Sequence, residues 1–307
     1  MKKKPSEYNG IVVVDKPGGV TSHDVVDAAR RLYRTRRVGH TGTLDPDATG
    51  VLVLCLGYAT RLAEYLSASR KNYIAEVKFG VESDSQDASG QITAERDAAH
   101  FTEADLQALL PRFRGTIEQI PPMISALHHE GKRLYELARE GITVERDARP
   151  VQIDRLELLE FAAETNPIAK IEITCSTGTY IRTLAADLGD AAQTGALMQS
   201  LRRTWVGDSE RDFNLQSARS LDELRAKFED GTLSETVLSL SDALKSWPQA
   251  EFDDVEIARI RNGQAIARPE LFAENEIPQV AVLNPQGEMI AVARYEAGAI
   301  RPVKVLN

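Results

Sequence analysis

The stretch Arg36 to Gly50, RRVGHTGTLDPDATG, runs straight into the apolar segment Val51 to Leu56, VLVLCL. Gly39, Gly42 and Gly50 supply tight turns, Asp45-Pro46 starts a turn, and Thr41, Thr43 and Thr49 suit local caps. The segment is too irregular for a helix, so it reads as a loop that feeds a central strand. Within it stand one histidine, His40, and two carboxylates, Asp45 and Asp47.

Upstream, the β-branched run Ile11 to Val14 reads as a buried strand broken by Lys16-Pro17-Gly18-Gly19. Thr21 or Ser22 can cap a helix whose face carries Val25, Val26, Ala29, Leu32 and Tyr33. Arg30, Arg31 and Arg34 sit near its C-terminus, where cations suit the dipole. Downstream, Thr60 to Ser67 reads as a short helix, and Tyr73 to Phe79 alternates like a half-buried strand. Ser83 to Gly90, SDSQDASG, is a polar turn. Thr102 to Phe113 is helical, with Thr102 and Asp105 at capping-box-like spacing. Gln119 to Pro122 is extended. Lys132 to Glu140 is helical and stops at Gly141. Gln152 to Phe161 and Ala169 to Cys175 are strands. Thr179 can cap a helix from Tyr180 to Leu188 that Gly189 ends. The elements lack a regular βαβ rhythm, which predicts an α/β (α+β) fold with a mixed, mostly antiparallel sheet flanked by helices. After a polar, acidic stretch from Ser209 to Leu244 and a linker-like Trp247-Pro248, the run from Gln279 to Val305 reads as a small β-rich module with a turn at Asn284-Pro285-Gln286-Gly287.

The 307 residues suffice for one large or two smaller domains. No apolar run approaches the ~20 residues of a membrane span, and the basic start is followed by no apolar segment of a signal peptide. The two cysteines, Cys55 and Cys175, lie in apolar strand-like runs and read as buried thiols of a cytoplasmic protein. Net charge is −9, yet residues 1–72 hold twelve Lys/Arg against seven Asp/Glu. That local excess of cations permits a polyanionic partner despite the acidic total.

Several chemistries compete for the loop. Asp45-Pro46-Asp47-Ala48-Thr49 fits the D-x-D-x-T pattern of aspartyl-phosphate phosphatases, but that pattern should close a hydrophobic strand, and Arg37 to Thr43 is not one. A phosphate-cradling loop needs a lysine after its last glycine, and Val51 follows Gly50. His23, His40, His100, His128 and His129 stand in no metal-ligand spacing, so no metal site is expected.

Four stretches, the loop among them, match one family in order. They are Gly10 to His23 with Asp15-Lys16-Pro17-Gly18-Gly19, Gly39 to Leu52, Lys71-Asn72-Tyr73, and Gly178 to Leu184 with Tyr180-Ile181-Arg182-Thr183. Ser125-Ala126-Leu127 and Gly131 to Tyr135 extend the match. From about residue 10 to about residue 207 the chain resembles the TruB-type tRNA pseudouridine-55 synthases. The terminal β module resembles, more weakly, the PUA-like RNA-binding domain of bacterial members. The chain departs from the family pattern at Ile124, His128 and Glu82.

The resemblance implies the pseudouridine synthase fold over residues 1–245, with an RNA-contacting insertion at about 121–150, and a PUA-like domain over 246–307. It implies an isomerase that detaches uracil 55 of the tRNA T-arm at N1, turns it, and rejoins it through C5. By motif, Asp45 is the catalytic carboxylate, Tyr73 stacks on the base, Arg182 pairs with Asp45, and His40 and Lys16 support RNA binding or loop geometry. Asp47 matches no catalytic position and reads as turn chemistry. A cation beside Asp45 should lower its pKa and keep it ionised. The carboxylate could then attack C1′ or C6, or take a proton from C2′. No redox or phosphoryl step occurs, so no cofactor is expected. A cytoplasmic monomer acting on tRNA without an obligatory protein partner or membrane follows. A tRNA-binding folding factor is the competing reading.

Overall fold

The computed structural model describes residues 7–125, 127–129, 131–207, 212–273 and 276–306. Lys2, Lys3, Lys4, Ala126 and Ser209 lie outside the described residues, as do the side chains of His128, Arg133 and Tyr135.

A nine-stranded sheet organises most of the chain. Along it run Gly10–Lys16, Thr49–Leu56, Ala196–Gly207, Arg70–Phe79, Ile168–Cys175, Arg149–Ala162 and Gly115–Gln119, with Val38–His40 paired to Thr49–Leu56 and Phe213–Asn214 paired to Ala196–Gly207. Every pairing is antiparallel except the short one between Thr49–Leu56 and Ala196–Gly207. The expected mixed, mostly antiparallel sheet is therefore present.

Thr49–Leu56 is apolar at successive positions because both its faces are covered. Leu52, Leu54 and Leu56 join Val12 and Val14 against the helix Ser22–Leu32, through Val25, Val26 and Ala29. Val51, Val53 and Cys55 face the other way, onto Ile11, Val13, Leu62 and Leu66. Thr21 caps the helix through a capping box with Asp24. Cys55 and Cys175 are buried free thiols, as the sequence predicts.

The structure corrects several local readings. Val38–His40 is a short strand, registered against Leu54 to Leu56, where a loop was expected. Thr179 does not cap the helix Ile181–Ala191; its hydroxyl donates to Ser176 O at 3.0 Å. Gly189 lies inside that helix instead of ending it, and glycine is needed there because a Cβ would sit 2.1 Å from Ala196 N. Ahead of Gly141 only Leu134–Arg139 is helical, while Lys132–Arg133 pairs as a strand. The long strand Ala196–Gly207 has no clear sequence signal, since Gln199, Ser200, Arg202 and Arg203 interrupt its apolar alternation.

A second, five-stranded sheet forms a small β-rich C-terminal domain in the order Gln249–Glu251, Glu276–Leu283, Met289–Glu296, Ala299–Val305, Ile266–Ala267. Ala281, Leu283, Met289 and Val292 share a core with Leu62 and Leu66, which joins the two sheets. Trp247 is no free linker: its ring packs edge-on against Tyr65 at 5.6 Å. Among the described residues no helix is long and apolar enough to cross a membrane.

Candidate active site

The loop ahead of Thr49–Leu56 is held from four sides. Ser22, at the start of its helix, donates its hydroxyl to Leu44 O at 3.0 Å and accepts from Leu44 N at 2.8 Å. Lys16, with no exposed surface, donates Nζ to Pro17 O, Val20 O and Pro46 O at 2.8, 2.6 and 2.8 Å. An ammonium has three protons, so these carbonyls use all of them and Lys16 holds the loop. Thr41 N donates to Val53 O at 3.1 Å. Arg203, 1% exposed, reaches in from Ala196–Gly207 and donates to Val51 O at 2.7 Å and Gly42 O at 3.0 Å.

These tethers deliver Leu44 to the core and Asp45 to a cleft of about 1030 Å³. Arg182, in the first turn of Ile181–Ala191, meets it there. Arg182 Nη2 is 2.7 Å from Asp45 Oδ1, and the arginine side chain is 7% exposed. The other arm, Nη1, lies 3.5 Å from Asp87 Oδ2. Asp87 is fixed in turn, its Oδ1 accepting from Ser85 Oγ at 2.7 Å, Ser89 N at 3.0 Å and Ser89 Oγ at 2.6 Å. Asp47 is exposed and does not line the cleft. Of the two carboxylates in the loop, only Asp45 faces it.

The electrostatics depart from expectation. The ion pair alone would lower the Asp45 pKa. Burial outweighs it and raises the carboxyl above its ordinary value; Arg182 pulls it back down and Asp87 pushes it up. Arg182 thus offsets a desolvation cost without abolishing it.

Tyr73 is buried on Arg70–Phe79 and lines the same cleft. Burial raises its hydroxyl pKa, so the ring is neutral and apolar. His40 also lines the cleft, its Nδ1 accepting from Gly42 N at 3.3 Å. Burial first, then Arg203 and His23, lower its pKa, which favours the uncharged imidazole. Beneath Gly42, Lys71 donates to Ser67 O and Ser69 O at 3.0 Å each; burial brings its pKa down to about 8. Among the described residues no three His, Cys, Asp or Glu side chains converge as a metal would require.

A half-buried carboxylate paired with a buried arginine, in a cleft that a buried tyrosine also lines, suits chemistry on a planar, neutral ring. Comparison with known proteins gives that arrangement a family. Residues 30–181 match the N-terminal domain of the TruB family pseudouridylate synthases, and residues 182–245 match the tRNA pseudouridylate synthase B C-terminal domain. The chain belongs to the TruB family.

Its TruB relatives span nearly the whole molecule. The tRNA pseudouridine synthase B of Symbiobacterium thermophilum is 47% identical over 85% of this chain and 84% of its own. That of Bacillus pumilus is 40% identical over 97% and 98%. Among solved structures, a Cbf5-Nop10-Gar1 complex contains a chain with a TM-score of 0.71 and 24% identity, covering 100% of this chain and 88% of that one. An archaeal Nop10-Cbf5 complex gives 0.72 at 23% identity, covering 99% and 89%. These two share the fold. As a TruB-family pseudouridine synthase, the protein is an isomerase.

Two residues that hold the candidate site in place escape sequence reasoning. Asp87 stands in SDSQDASG, which reads as an ordinary turn; its one signal is a carboxylate amid serines able to hydrogen-bond it. Arg203 stands in the strand that was not foreseen. Its signal is the basic pair Arg202-Arg203 between Leu201 and Trp205-Val206, where one cation is partly exposed and the other is buried.

Proposed function

We propose that this protein converts uridine 55 in the T-loop of tRNA to pseudouridine, with Asp45 as the catalytic carboxylate. The observation that carries this reading is the 2.7 Å pair of Asp45 and Arg182 at a cleft that Tyr73 also lines. The chain's relatives named tRNA pseudouridine synthase B support the substrate.

The target base leaves its stack and enters the cleft. There the Tyr73 ring holds it face-on, a contact worth about 1–3 kcal/mol per base. Asp45 acts on the nucleotide as the N1–C1′ bond breaks, because a carboxylate stabilises the positive charge that grows on the sugar. Arg182 aims it, and Asp87 aims Arg182. Asp45 works in its ionised form, and its raised pKa leaves it a stronger base than an exposed aspartate. The freed uracil turns and rejoins through C5, releasing the C5 proton. His40 borders the entering nucleotide, and Lys16 keeps the loop in shape.

Residues 1–245 carry this chemistry, the insertion at about 121–150 grips the T-arm, and 246–307 adds an RNA-binding surface. The protein works in the cytoplasm as a monomer without an obligatory protein partner. Tritium release from a T-arm hairpin labelled at C5 of the target uridine tests the reading. A well-folded protein that releases none, on the hairpin or on full tRNA, contradicts it.

A further inference from the structure

Ser125 stands out in the cleft wall. It is 5% exposed, and its Oγ has neither solvent nor a hydrogen-bond partner. Its backbone N–H is paired, donating to Met123 O at 3.0 Å. The other buried, unpartnered side-chain atoms among the described residues, Arg30 Nε and Arg146 Nε, belong to residues that do not line the cleft. Ser125 does, together with Asp45, Tyr73 and Arg182. A buried hydroxyl without a partner is costly, and native proteins keep few of them. One kept in the wall of the cleft that holds Asp45 has a partner within reach only when the cleft fills. Rotation about a single torsion, χ1, moves the hydroxyl between staggered positions.

We propose that Ser125 is a substrate-positioning residue whose hydroxyl donates to a carbonyl oxygen of the target uracil before and after the base turns. This rests on the isomerase reading above. Uracil presents C2=O, N3–H and C4=O in succession along one edge. Exchanging N1 for C5 as the attachment atom is a half-turn about the axis through N3 and C6. That turn places O2 where O4 stood. A single donor beside one carbonyl therefore finds another carbonyl after the turn, without moving. A hydroxyl serves better here than a charged group, because it holds the ring without drawing its charge away from Asp45.

The test uses T-arm hairpins tritiated at C5, with uridine, 2-thiouridine or 4-thiouridine at the target, under single turnover. On uridine, Ser125→Ala is expected to slow tritium release about fivefold, the effect of one neutral hydrogen bond. At least one thio-substitution, which weakens the acceptor, should slow wild type by a similar factor and slow Ser125→Ala no further. The variant's unfolding midpoint should equal or exceed that of wild type, since a buried unpaired hydroxyl is gone; a hydroxyl with a structural role would lower it. Ser125→Ala at wild-type rate on uridine, or losses that multiply for both thio-substitutions, overturns the proposal while leaving the isomerase reading intact. Absence of release by wild type on uridine overturns that reading and this one with it.

Discussion

Tyr73 and Arg203 are register partners on adjacent antiparallel strands, and the Arg203 guanidinium donates to the carbonyls of Gly42 and Val51. One buried side chain therefore couples the floor of the cleft to the loop that carries Asp45. A lysine keeps the charge but lacks the planar fork that serves several acceptors at once. Arg203→Lys is expected to lower kcat about 10- to 100-fold, roughly 1.4–2.8 kcal/mol of barrier, with a smaller change in RNA affinity. Single-turnover rates and a binding titration separate the two. An unchanged rate would mean that the loop keeps its shape without Arg203.

The raised pKa of Asp45 has a readable consequence. With the carboxylate as the proposed active form, activity should fall on the acid side with a midpoint above the ordinary aspartate value of about 3.9. Arg182 lowers the Asp45 pKa and Asp87 raises it. Arg182→Gln should therefore move the acid limb of kcat/KM to higher pH, and Asp87→Asn should move it to lower pH. Limbs that stay in place in both variants would show that another group sets the profile.

The same shift governs stability. A carboxyl whose folded pKa lies above its unfolded value binds its proton more tightly in the folded chain. Its ionisation therefore costs stability once pH rises past the unfolded value, and the full cost is present above the folded value. Asp45→Asn removes that cost. At neutral pH its denaturation midpoint should equal or exceed that of wild type. A clear drop would mean that the Arg182 pair contributes more than burial takes away.

Lys16 and Gly50 shape the loop in different ways. Lys16→Met leaves three carbonyls unpaired and should cost roughly 2–3 kcal/mol in denaturant unfolding, with little effect on RNA affinity, because Lys16 has no exposed surface. A loss confined to RNA affinity would assign it to RNA contact instead. Gly50 combines a φ of +102° with a Cβ position 2.1 Å from Arg203 O. Gly50→Ala should cost about 3 kcal/mol or more. Gly19, at φ +78° with nothing within 4 Å of its Cβ, is the control, and Gly19→Ala should cost only about 1–2 kcal/mol.

Much of this was legible in the sequence, and the illegible part has physical causes. Val51 to Leu56 declares a strand covered on both faces because all six residues are apolar. Thr21 or Ser22 declares a helix start because capping is local chemistry, and the structure selects Thr21. Asp45 and Arg182 lie 137 residues apart in the chain. Spacing could not join them; family resemblance did. Asp87 was read as turn chemistry because its serine partners are local and its arginine partner is distant. The strand Ala196–Gly207 was missed because it buries Arg203, and propensity treats a cation there as a break. The pKa direction at Asp45 was misjudged for a related reason: sequence shows the neighbouring charge but not the depth of burial.

Asp45, and not its neighbour Asp47, is the carboxylate proposed to work on the uracil. The most direct measurement is tritium release from a T-arm hairpin bearing [5-³H]uridine, run with wild type, Asp45→Asn and Asp47→Asn, each verified as folded. Release by wild type and by Asp47→Asn, with none by Asp45→Asn, is the expected result. Substantial release by Asp45→Asn, or equal loss in both variants, would contradict the assignment.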